Sequence, residues 1–196
     1  MDEDDKSKIG QAMREAIRRR RGYADFFGWS SNRDREEERV LALLAESLQK
    51  DEALFFGKIR PRGRGNDPPD LEAPDRNERR IAFEIAELVD GEAIKAFKST
   101  KLDEPAEWTE RGFLDSLGRL LQRKNDKFTQ LKDPPYDGGY VVVVFSDEPD
   151  LSAPVVERYL RGQSFTGTRL ITRAFFLISY DPRLDRCPYF ELGVGA

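Results

Sequence analysis

The chain of 196 residues contains no histidine. That removes Ser-His-Asp and Cys-His nucleophilic catalysis, the HExxH zinc site and every imidazole proton shuttle. Carboxylates, lysine, tyrosine and metal ions remain for chemistry. Cysteine is nearly as scarce. Cys187 stands alone, so neither an intrachain disulfide nor a multi-cysteine zinc site can form, and a reducing, cytoplasmic setting is expected. Long apolar runs are also lacking. None exceeds six residues, the length of Tyr140 to Phe145, far below the roughly 18 residues a membrane span requires. The opening MDEDDKSK is acidic rather than basic and apolar, so no export signal and no membrane partner are expected. Neither sign of charge dominates: 33 Lys and Arg against 37 Asp and Glu leave a formal charge of −4, too mild to argue for or against a polyanionic partner.

What is present is enough for one core. With 38% hydrophobic residues, the length fits a single domain with an appended arm. Ile9, Met13, Ala16 and Ile17 recur at helical spacing among Arg14 and Arg18 to Arg21, which predicts a basic helix over 7–21 and an arm over 1–33. The domain then spans 34–196. Asp34 and Glu37 resemble a capping pair ahead of the stripe Val40, Leu41, Leu44 and Leu48. Leu54 to Ile59 reads as a strand and KIRPRGRGND as a loop. Pro68 to Ala73 and Arg79 to Leu88 read as a hairpin around the polar PDRNE. A short helix over 92–98 and an irregular stretch over 99–107 follow. Thr109 is a suitable N-cap, with Trp108 before it and Phe113 at the fourth helical position as a hydrophobic staple. That helix is expected to reach Phe128. Tyr140 to Phe145 has the unbroken aliphatic run of a strand buried on both faces. The region 150–196 supplies a helix from Ser152, a strand over Leu170 to Tyr180 and an edge strand in PYFELGVG. The fold class is therefore α/β, a mixed central sheet flanked by helices.

A hairpin symmetric about Asn77 pairs residues whose numbers add to 154. Leu71 then opposes Phe83, Ala73 opposes Ile81 and Pro69 opposes Ile85, so one face is apolar. The other face carries Asp70, Glu72, Ala82, Glu84 and Ala86, with Asp70 across from Glu84. Like charges directly opposite are destabilising. A divalent cation compensates economically, because hard ions are held by carboxylates, water and phosphate oxygens. A raised carboxylate pKa or a lysine partner would serve too, and a solvated polar face would need neither.

Lys124 falls on the stripe Phe113, Leu114, Leu117, Leu120, Leu121 and Phe128. Lysine seldom points inward without a partner, so it either snorkels to the edge or meets a carboxylate; Lys127, among polar neighbours, is expected to face water. Glu37 and Glu72 are accessory candidates, the first from the start of its helix. Lys58, Arg60, Arg62 and Arg64 concentrate four positive charges just before the carboxylate strand, a candidate contact for nucleic-acid phosphates or simply a solvated surface.

PPD at 68–70 followed by the strand RRIAFEIAEL resembles the PD-(D/E)XK nuclease superfamily, the restriction endonuclease-like proteins. The resemblance implies an α-β-β-β-α-β core over about 34–146, with Asp70 and Glu84 as catalytic metal ligands for Mg²⁺ or Mn²⁺, aided by the Ile85 carbonyl. It also implies hydrolysis of phosphodiester bonds in DNA or RNA. The family's motif lysine would fall at Ala86, a departure. Some members recruit that lysine from a neighbouring helix, and Lys124 is placed to supply it as the third catalytic residue. A catalytically silent binding or assembly module with the same fold is the alternative.

Overall fold

Parity along the central strands organises the whole molecule. The computed structural model describes residues 33–63, 65–91 and 107–195. The basic arm, Arg64, the helix over 92–98 and most of the stretch over 99–107 lie outside the described residues. Helix α1 spans Arg33–Lys50, starting one residue before the expected Asp34 cap. It is followed by β1 (Arg60–Pro61), β2 (Leu71–Pro74), β3 (Arg80–Glu87), α2 (Glu110–Lys127), β4 (Gly139–Ser146), α3 (Ala153–Leu160), β5 (Arg173–Ile178) and β6 (Tyr189–Leu192).

The six strands form one sheet in the order β1-β2-β3-β4-β5-β6. β3, β4 and β5 run parallel, while β1-β2, β2-β3 and β5-β6 are antiparallel. The fold is thus the mixed α/β sheet flanked by helices that the pattern implied. Alternate residues of a strand face opposite sides. Phe83, Ile85, Val141, Val143, Phe175 and Leu177 accordingly pack under α1 through Val40, Leu41, Leu44 and Leu48. Ala82, Val142, Val144, Ala174 and Phe176 meet α2 and α3 through Phe113, Leu117, Leu121, Val156 and Tyr159. Burial on both faces is what an aliphatic run such as that of β4 requires. Among the described residues no helix is long and apolar enough to cross a membrane.

The hairpin has the expected register, Leu71 with Phe83, Glu72 with Ala82 and Ala73 with Ile81. Its turn is fixed by Asp75, whose Oδ1 accepts from the Asn77 and Arg79 amides, both at 2.8 Å. α2 is capped by Thr109, whose hydroxyl accepts from the Gly112 amide at 3.1 Å. Trp108 and Phe113 stack edge to face across its start, as the staple pattern anticipated. Ser152 holds the cap position of α3 but makes no side-chain capping bond.

The segment Leu54 to Ile59 corrects the sequence-based expectation. It forms no strand, only an isolated bridge from Phe56 to Asp75. Phe55 and Phe56 both contact Phe83, with ring centroids 6.5 and 4.9 Å apart. Consecutive residues turned to one side are incompatible with a pleated strand. The pairing moves to Arg60–Pro61, inside the expected loop, where proline is tolerated on an edge strand.

Candidate metal centre

β2 ends where Pro69 would stand opposite Ile85, and proline has no N–H to continue the ladder. The two backbone groups of Ile85 on that side are taken by side chains instead. The Ile85 amide donates to Asp70 Oδ2 at 2.7 Å, and the Ile85 carbonyl accepts from Lys124 Nζ at 3.0 Å. Glu84, on the α2 side of β3 between Ala82 and Ala86, is fully buried. Its Oε2 accepts a short hydrogen bond from Lys124 Nζ. That ammonium also lies 3.9 Å from Asp70 Oδ2. The alternative of wet, separated carboxylates is therefore set aside: Asp70 is 6% and Glu84 0% exposed.

Lys124 is itself buried at 9% exposure. Helical spacing puts it on the inner stripe, and the Tyr140 hydroxyl donates to its backbone carbonyl at 2.8 Å, tying the end of α2 to β4. Burial, reinforced by the nearby Glu84 and Asp70 charges, holds the Tyr140 phenol well above its ordinary pKa, so it stays a donor. Lys127, expected to face water, is half exposed, yet its Nζ reaches within 3.9 Å of Glu84 Oε2.

Asp67 was not among the sequence-predicted site residues. Asp67, Asp70 and Glu84 each present an oxygen within 4.8 Å of the others. Glu84 Oε1 and Asp67 Oδ1 are buried and accept no hydrogen bond among the described residues. Buried carboxylate oxygens are normally satisfied, and a hard divalent cation takes such oxygens. These donors suit a metal ion. The signal for Asp67 was the spacing DPPD, in which a bend at the two prolines returns the fourth residue, Asp70, beside the first.

Burial pushes the Asp70 carboxyl up to about 7, the Glu84 charge and more weakly Glu37 add to this, and Lys124 and the Ile85 amide oppose it. Glu37 is buried and lines, with Glu36, Ile85, Ala86, Glu87, Lys124 and Phe145, a cavity of about 420 Å³ beside the centre. Glu72 is elsewhere occupied: it pairs with Arg80 at 2.7 Å and Arg62 at 3.4 Å. Arg62 correspondingly departs from its expected role as a free phosphate contact. Its side chain is 13% exposed and bridges Glu72 and Asp133. Lys58 and Arg60 are exposed, and Arg64 is outside the described residues.

No family model matches this chain, and searches of curated proteins and of solved structures find no match either.

Proposed function

We propose that this chain is a metal-dependent phosphodiesterase acting on nucleic acid, with a restriction endonuclease-like core. The observation that carries the reading is the pair of orphaned buried oxygens, Glu84 Oε1 and Asp67 Oδ1, inside the acidic group completed by Asp70. The element order and the position of Pro-Asp one strand before Glu84 support it further. Asp67, Asp70 and Glu84 would hold Mg²⁺ or Mn²⁺, whose chemistry when bound is to activate water and polarise a phosphoryl oxygen for in-line displacement. Asp70 is oriented for this by the Ile85 amide. Lys124 and Lys127 supply positive charge against the negative charge that develops at phosphorus. None of these roles needs histidine. Lys58 and Arg60, exposed on the segment leading into and beginning β1, are the candidate backbone contacts for DNA or RNA.

A second reading has its own observation. Lys124 already bonds Glu84 and the Ile85 carbonyl, and Ala86 stands at the family's lysine position, as in a silent module that keeps the fold for binding. Calorimetry with Mn²⁺ and Mg²⁺, together with cleavage assays on supercoiled DNA and on RNA, separates the two. The nuclease reading expects metal binding and Mn²⁺-dependent cleavage, both lost in Glu84→Gln. Nucleic-acid binding with no metal heat and no cleavage establishes the module instead.

A further inference from the structure

The Lys124 ammonium sits among three oxygens: Glu84 Oε2 in direct contact, the Ile85 carbonyl at 3.0 Å and Asp70 Oδ2 at 3.9 Å. Asp70 and Glu84 are two of the three residues, with Asp67, proposed to hold the divalent cation. An ammonium is a compact point charge on a flexible four-carbon stem, so it can occupy cation donors and also leave them. We infer that Lys124 is a tethered cation lock, whose ammonium must withdraw from Glu84 before a divalent ion can settle among the Asp67, Asp70 and Glu84 oxygens. The inference rests on the metal-binding half of the proposed function.

Two observations make the exchange physically reasonable. First, the ammonium touches Glu84 Oε2 and lies 3.9 Å from Asp70 Oδ2, so it repels a second cation held by the same carboxylates far more strongly in this buried setting than in water. Second, the ammonium has a place to go. Lys124 lines the cavity of about 420 Å³ together with Glu36, Glu37 and Glu87, so a swing of its stem keeps the charge among carboxylates. Lys127, 44% exposed, also lies 3.9 Å from Glu84 Oε2. The ammonium also holds together Asp70 and Glu84, which otherwise repel.

The wild-type protein carries the first test. Reductive methylation of lysines, read by mass spectrometry, should modify Lys124 about tenfold faster in saturating Mn²⁺ than in chelator, since a buried, hydrogen-bonded amine reacts only when it opens. The exposed Lys58 serves as control and should not change. The second test is calorimetry: Lys124→Met should bind Mn²⁺ at least about tenfold more tightly than wild type, because a unit positive charge has left the donors. Heat from Lys124→Met with none from wild type is the extreme form of the same result. Unchanged labelling in Mn²⁺-saturated wild type, or equal or weaker affinity in Lys124→Met, overturns the lock and leaves the metal site standing. No Mn²⁺ heat from either protein removes both the lock and the metal site. Should Lys124→Met fail to fold, the wild-type labelling decides alone.

Discussion

A carboxylate with no solvent exposure survives at position 84 because two ammonium groups stand against it, Lys124 in contact and Lys127 at 3.9 Å. Breaking a buried pair from one side leaves an uncompensated charge and typically costs about 3–5 kcal/mol. Lys124→Met should fall near the lower end, since Lys127 stays. The Glu84→Gln, Lys124→Met double variant should recover much of that loss, and a urea double-mutant cycle measures the coupling. Additive effects would show that the two side chains do not act as a unit. Asp70 gives a second expectation at this scale. Its carboxyl is raised to about 7, chiefly by burial and then by Glu84, whereas an unfolded aspartate titrates near 3.9. The folded state therefore holds the proton more tightly. Its stabilising effect is full below about pH 4 and is lost as pH rises through about 7, a decline of a few kcal/mol. In chelator, urea midpoints should fall over that window for wild type and stay flatter in Asp70→Asn; a parallel decline in the variant would assign the pH dependence elsewhere.

At the scale of elements, α2 delivers the lysine and is fastened at both ends. Thr109 caps its start, and the Tyr140 hydroxyl grips the Lys124 carbonyl at 2.8 Å near its finish. Tyr140→Phe should lower stability by about 1 kcal/mol, an ordinary loss for one hydrogen bond, and Thr109→Ala by a similar amount. Only the first should alter Mn²⁺ affinity, because only it loosens the backbone that bears Lys124; calorimetry on both variants distinguishes a fastened site from general weakening. This helix was legible in sequence, since cap, staple and stripe all repeat at fixed spacing. The hairpin register was legible too, because side-chain parity and the polar turn at Asp75 to Arg79 agree. Leu54 to Ile59 was not. An apolar run states that residues are buried, not that they alternate, and Phe55 and Phe56 are both turned onto Phe83. Asp67 escaped for a related reason: a loop residue has no period to betray which way it points.

Over the whole molecule, the sheet separates one core under α1 from another under α2 and α3, and the acidic centre lies where the β2-β3 ladder stops and α2 covers the gap. Sequence alone could count the basic residues near this point but could not apportion them, because the partners are remote in the chain. Arg62 bridges Asp133 across 71 positions as well as Glu72, and so belongs to the framework. Lys58 and Arg60 lie exposed beside it. With a net charge of only −4, any affinity for a polyanion has to come from such local patches, and each phosphate contact contributes about 0.9 to the slope of log K against log salt on duplex DNA. The Lys58→Ala, Arg60→Ala double variant should therefore bind DNA more weakly with a slope shallower by about 2, while its urea midpoint stays near wild type. Arg62→Ala should do the reverse, losing about 1 kcal/mol of stability with its paired carboxylates and leaving the salt slope unchanged. If the slope instead flattens in Arg62→Ala and holds in the double variant, the phosphate path runs over the β2-β3 side of the sheet rather than along β1, and the bridge to Asp133 must open for nucleic acid to bind.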